Sequence, residues 1–86
     1  MSAALSSAEI RAVIRRQASL TPDYDLPDEL ALGADGLGLD SVAIVELLLA
    51  CEIACGVRLA PDIFEGTGVT VGALVSALQR AREDTA

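Results

Sequence analysis

Positions 41–55 read Ser-Val-Ala-Ile-Val-Glu-Leu-Leu-Leu-Ala-Cys-Glu-Ile-Ala-Cys, with no helix breaker and only two charges, between Asp40 and Gly56. The run predicts a helix that Asp40 and Ser41 open and that Gly56 ends as its C′ residue. At about 100° per residue, Ile44, Leu47, Leu48, Cys51 and Cys55 share one sector, wide enough to be the core face. Val42, Val45, Leu49 and Ile53 form a second stripe on another side, flanked by Glu46 and Glu52. A helix apolar nearly all round calls for burial all round, and a chain of 86 residues has too few elements to supply it. The second stripe is therefore expected to stay partly exposed, at the i, i+3, i+7, i+11 spacing that a partner helix or groove reads. The alternative is that the long loop before this helix folds back and covers it.

The rest of the chain also reads as helix and loop. Ser6-Ser7-Ala8-Glu9 has the form of a capping box, with Leu5 and Ile10 placed for a hydrophobic staple. Ile10, Val13, Ile14 and Ala18 follow at helical spacing, while Arg11, Arg15 and Arg16 face water or the flank, so a first helix is predicted over about 7–19. From 20 to 39, Pro22, Pro27, Gly33, Gly36 and Gly38 break any long helix. Leu26, Leu30, Leu32, Leu37 and Leu39 are too many apolar groups for a disordered linker, so a long loop packed over the core is expected, with a short helical turn near 28–31. Beyond Gly56, 57–61 reads as extended, 61–65 as a short helix started by Pro61, and Gly66-Thr67-Gly68 as its end. Thr70 is a good N-cap for a last helix over about 71–83, whose core face is Val71, Leu74, Val75 and Leu78 and whose final turns carry Arg80 and Arg82 to complement the dipole. The fold class is all-α, a single domain over 1–86 with three main helices and one short one.

Thirteen acids against six bases, with no His and no Lys, leave a net charge of −7. That balance argues against nucleic acid and against an anionic membrane surface, and for a protein partner bearing a basic patch. Without His the chain lacks the usual base near neutral pH, which argues against a self-contained hydrolase or metalloenzyme. Cys51 and Cys55 lie four residues apart, form neither a disulfide framework nor a zinc set, and read as small core residues. No apolar run is long enough to span a bilayer and the N-terminus lacks a signal-peptide pattern, so a cytoplasmic monomer is expected.

Ser41 taken alone reads as a helix cap, and nothing nearby could activate it as a catalytic nucleophile. Its context says more. The Gly36-Leu37-Gly38-Leu39 segment is expected to be flexible and to leave the position accessible. An anionic group on Ser41 would sit at the positive end of the helix dipole. No base lies between positions 22 and 57 to clamp it down, so a modified Ser41 would project an arm into solvent.

These residues resemble a known family. Gly38-Leu39-Asp40-Ser41-Val42 is similar to the Gly-x-Asp-Ser-Leu attachment motif of acyl carrier proteins, and Val45-Glu46-Leu47 to the apolar–Glu–apolar pattern of that family's second helix. Leu59-Ala60-Pro61-Asp62 resembles the stretch before its third helix, and Thr70-Val71 the start of its fourth. The resemblance implies a four-helix bundle whose Ser41 hydroxyl receives 4′-phosphopantetheine from coenzyme A. It implies that Asp40 helps a phosphopantetheinyl transferase and its Mg²⁺ engage the serine. The arm's thiol would then hold acyl groups as thioesters for a loading enzyme and downstream synthases or transferases, the carrier itself doing no bond chemistry and holding no metal. Val42, Val45, Glu46, Leu49, Glu52 and Ile53 would be the docking positions. Val42 after the serine, the few acids of the helix, Ile53, and the segment Ile63-Phe64-Glu65-Gly66-Thr67 resemble free-standing carriers of polyketide and nonribosomal peptide metabolism more than fatty-acid carriers. An aminoacyl or peptidyl carrier and a housekeeping fatty-acid carrier are the alternatives within the family. An acidic helical adaptor without a prosthetic group is the alternative from another class.

Overall fold

The computed structural model describes residues 6–59 and 69–85. Three helices order them: α1 (Ser7–Gln17), α2 (Ser41–Cys55) and α3 (Val71–Thr85). The predicted short helix at 61–65, its Gly66-Thr67-Gly68 stop and the Leu5 arm of the staple lie outside the described residues. Among the described residues there is no strand beyond one isolated antiparallel bridge, and no helix is long and apolar enough to cross a membrane.

Local chemistry explains where the helices start. At α1 the Glu9 N–H donates to Ser6 Oγ and the Ser6 N–H to Glu9 Oε1, both at 3.0 Å, the two halves of a capping box. The Ser6 backbone N–H, with its hydroxyl, holds the Glu9 carboxyl below its usual range. At α3 the Ala73 N–H donates to Thr70 Oγ1 at 3.1 Å.

The ends of α1 and α2 share one device. Gly56 takes the left-handed conformation at φ 67°, and the Val57 N–H reaches back to the Glu52 carbonyl at 3.1 Å, a Schellman closure. The first helix, predicted to run to 19, stops at Gln17 because Ser19 adopts φ 60° and the Leu20 N–H closes on the Arg15 carbonyl at 2.8 Å. A serine stands there where glycine is the usual choice, so composition alone did not mark the end.

The core joins Ile10 and Ile14 of α1, Leu47, Leu48, Cys51 and Cys55 of α2, and Val71, Leu74, Val75 and Leu78 of α3. Leu26 and Leu32 of the long loop are buried with them, and Leu30, Leu37 and Leu39 pack against them half-buried. Each fully buried leucine or isoleucine stabilises the fold by about 1.5–3 kcal/mol. The loop's leucines therefore enter the core and do not cover the outer stripe of α2.

Contacts distant in sequence hold the loop. Arg11 and Arg15, expected to face water or the flank, instead donate to it: Arg11 Nε to the Leu26 carbonyl at 2.8 Å and Arg15 Nε to the Tyr24 carbonyl at 2.6 Å, with Arg11 also paired to the Asp28 carboxylate. The helical turn expected near 28–31 is a tight turn, closed by the Leu30 N–H on the Pro27 carbonyl at 3.1 Å. Ala31 then bridges Thr70, with the Leu32 N–H on the Val69 carbonyl at 2.9 Å and the Val71 N–H on the Leu30 carbonyl at 2.8 Å. A Cβ at Gly72 would come within 2.8 Å of Asp28 Cβ, so only glycine admits this approach of the loop to α3. Arg82, placed by the sequence to complement its own helix, donates from Nη1 to the Cys55 carbonyl at 2.9 Å and so caps the C-terminus of α2.

Candidate functional site

The start of α2 is built by the loop before it. The Leu37 N–H donates to the Ala31 carbonyl at 2.9 Å, the Gly38 N–H to Gly33 at 2.8 Å and the Leu39 N–H to Leu32 at 3.1 Å. The 36–39 segment, expected to be flexible, is thus tied down by its own backbone. Gly38 turns the chain at φ 80°, and a Cβ there would meet nothing within 4 Å, so the left-handed conformation and not crowding favours glycine.

Asp40 then takes the N-cap, with φ −79° and ψ 176°. The Ala43 N–H donates to Asp40 Oδ1 at 2.8 Å and the Ile44 N–H to the Asp40 carbonyl at 2.9 Å. Ser41 is therefore the first helical residue and not the cap. It is exposed, and its hydroxyl has no hydrogen-bond partner among the described residues. The N–H groups of Ser41 and Val42 have no intrahelical acceptor and lie at the positive end of the helix. An anion covalently held at Ser41 would gain about 0.3–1 kcal/mol from that end. An exposed hydroxyl beside open space and a helix N-terminus fits a bulky phosphodiester.

The second stripe stays at the surface: Val42 is 65% exposed, Val45 37%, Leu49 47% and Ile53 82%. Glu46 is exposed beside it. Glu52, expected at the rim, is half-buried, and its Oε2 accepts the Leu59 N–H at 2.6 Å. That carboxylate is committed to the segment leaving α2. On the core side, Ile44 is half-buried and packs against the cluster that Leu47, Leu48, Cys51 and Cys55 enter.

Both thiols of the chain are buried and free of each other. Burial, reinforced by the neighbouring Cys55, pushes the Cys51 thiol up to about 12. Burial also raises Cys55, opposed by the Arg82 guanidinium and aided by Glu9. Since the thiolate is the reactive form, neither side chain can serve as an accessible nucleophilic sulfur. Any thioester chemistry presented by this chain needs a thiol attached from outside. Among the described residues no group of His, Cys, Asp or Glu is arranged to hold a metal ion.

The sequence placed Asp40 and Ser41 side by side, and Ser41 read as the cap where Asp40 takes it. Backbone dihedrals decide that. Glu52 carried no signal of its inward turn.

The comparisons with known proteins point one way. Residues 8–78 match the family model described as the phosphopantetheine attachment site. Among solved structures, the solution structure of oxytetracycline acyl carrier protein is similar over 99% of this chain and 90% of that one, with a TM-score of 0.68 at 24% identity, a likeness of fold. No curated protein matches the sequence. With most of its length matched by that model, the chain belongs to the phosphopantetheine attachment family, whose prosthetic group is 4′-phosphopantetheine.

Proposed function

We propose that Ser41 is the attachment residue and that the protein is an acyl carrier. In the loading step Ser41 Oγ forms a bond to the phosphorus that bears the pantetheine. The phosphoanhydride of coenzyme A breaks, adenosine 3′,5′-bisphosphate leaves, and the serine proton passes to a base on the phosphopantetheinyl transferase. Asp40, with one carboxylate oxygen on the Ala43 N–H, holds the helix start in place, and its other oxygen would be available to the transferase and its Mg²⁺. The observation that carries this reading is the exposed, unpartnered Ser41 hydroxyl at the first position of α2, in a chain whose own thiols are both buried.

The carrier performs no bond chemistry itself. It holds acyl intermediates on the arm's thiol as thioesters and brings them, as a cytoplasmic monomer, to a loading enzyme and to downstream synthases or transferases. Val42, Val45 and Leu49, with Ile53 and the exposed Glu46, form the docking face. Glu52 stands behind it as a structural residue. The cargo is of polyketide or related specialised type, a reading supported by the departures at Val42 and Ile53 and by the fold shared with the oxytetracycline carrier.

The test is intact mass after incubation of the apo-protein with coenzyme A, Mg²⁺ and a broad-specificity transferase. One phosphopantetheinyl group should be gained, and Ser41→Ala should gain none. No gain by the wild type across several transferases would overturn the reading in favour of an adaptor without a prosthetic group.

A further inference from the structure

A cleft of about 250 Å³ lies between the end of α1 and the first turns of α2. Gln17 at the end of α1 and Ser19 just beyond it line one side, with Leu39 from the loop and Ala43, Glu46 and Leu47 from α2. Its floor is apolar, with Leu47 buried and Leu39 and Ala43 half-buried. Its rim is polar, with the Glu46 carboxylate as acceptor and the Gln17 amide and Ser19 hydroxyl each able to accept or donate. The side chains of Glu46, Gln17 and Ser19 have no hydrogen-bond partner among the described residues, and a carboxylate can only accept. The carbonyls of Ile14, Arg15 and Arg16 are taken by the N–H groups of Ala18, Leu20 and Ser19. Those of Gln17 and Ala18 lie beyond the last bonded turn, at the negative end of the α1 dipole. Ser19 is also the one described residue other than glycine at positive φ, and a residue held in that region marks a place to look for function.

An apolar floor with a carboxylate, an amide and a hydroxyl at its rim suits a chain of methylenes and methyls that carries amides and a hydroxyl, and the Glu46 carboxylate disfavours an anion. We propose that this cleft receives the amide-bearing part of the 4′-phosphopantetheine arm, an inference that rests on Ser41 as the attachment point. The rim supplies acceptors, Glu46 and Gln17 foremost, for the arm's two amide N–H groups and its hydroxyl. Leu39, Ala43 and Leu47 cover its methyl and methylene groups. The phosphodiester stays at the N-terminus of α2, away from the acceptors. Ser41 stands only two residues before Ala43, about 3 Å along the helix axis, but on the far side of the helix. The arm therefore reaches the cleft by crossing the first turn of α2, and does not run along the docking stripe. Held there, it keeps its thioester near the protein surface between encounters.

The experiment compares ¹⁵N-labelled apo- and holo-protein by NMR, with intact mass read on the same samples. Amide shifts of Ala18, Ser19, Ala43 and Leu47 should change on loading, with contacts from the arm's methyl protons to the Leu39 and Leu47 side chains. Ala43→Leu, which fills the cleft with another helix former, should lose those changes and contacts while the mass gain persists. Gln17→Ala, at an exposed position, should reduce the change at Ser19 and serves if Ala43→Leu does not fold. Mass gained with shift changes confined to 38–42, or falling on Leu59 and α3, overturns the cleft and leaves Ser41 standing. No mass gained overturns both.

Discussion

The Ala43 N–H donates to Asp40 Oδ1 at 2.8 Å, and this one bond separates the residue that caps α2 from the residue next to it that stands free. Capping and attachment are adjacent in the chain but are carried by different side chains. Ser41 can be modified without withdrawing a hydrogen bond that the helix needs.

The first prediction follows from that separation. Asp40→Ala should lower stability by about 0.5–2 kcal/mol, the usual loss for an N-cap. Ser41→Ala should change it by no more than about 0.5 kcal/mol, as for an exposed site without special contacts. Urea unfolding of the two variants checks this. Equal losses would place the cap on the serine.

The two faces of α2 should separate in the same way. Leu48 is fully buried and Leu49 is 47% exposed. Leu48→Ala should cost roughly 2–5 kcal/mol, enough to unfold a large share of so small a domain. Leu49→Ala should cost much less and slow turnover by a partner enzyme. Equal destabilisation in chemical denaturation would mean that the outer stripe is packed.

Docking kinetics should reflect how few acids remain free at the stripe. Glu46 is exposed while Glu52 accepts the Leu59 N–H. Exposed ion pairs contribute about 0–1 kcal/mol each and are screened by salt. Raising ionic strength should therefore slow association with a partner enzyme and leave dissociation nearly unchanged. In stopped-flow measurements Glu46→Arg should reduce the on-rate, and Leu49→Asp should mainly raise the off-rate. A complex dissolved by moderate salt would show that charge, not the apolar stripe, holds it.

The cysteines make a prediction about pH. Below the ordinary cysteine value both folded and unfolded chains keep their thiol protons. Above it the unfolded chain releases protons that the folded chain still holds, because Cys51 is pushed up to about 12 and Cys55 is raised. Stability should thus fall as pH rises past about 8.5, and Cys51→Ala should flatten that slope. At pH 8 the native apo-protein should resist iodoacetamide, and the holo-protein should be alkylated once, on the arm. Rapid labelling of native apo-protein would contradict the buried, protonated thiols.

Much of this architecture was legible in the linear chain because the interactions that specify it span a turn or less. The Ser6–Glu9 box, the Thr70 cap and the Gly56 stop each join residues a few positions apart, and helical spacing separated Leu47, Leu48 and Cys51 from Val45 and Leu49 on α2. The pairing of Asp40 with Ser41 at a helix start after Gly38 was equally plain, and together with Val45-Glu46-Leu47, Leu59-Ala60-Pro61-Asp62 and Thr70-Val71 in order it carried the resemblance to carrier proteins.

The sequence by itself therefore determined three helices, the apolar composition of the core and the place of the candidate attachment serine. Tertiary structure decided what the long loop does and which polar groups remain available. Arg11 and Arg15 reach carbonyls that any loop residue could have offered, Ala31 meets Thr70, 39 positions further on, and Glu52 turns to Leu59 instead of to solvent. Backbone carbonyls look alike in a sequence, and which of them an arginine meets depends on how the loop closes over the core. The cleft between Ser19 and Glu46 likewise exists only because α1 ends early and α2 packs beside it. Local propensity acts over one turn of helix, while these contacts are chosen by the packing that brings distant residues together.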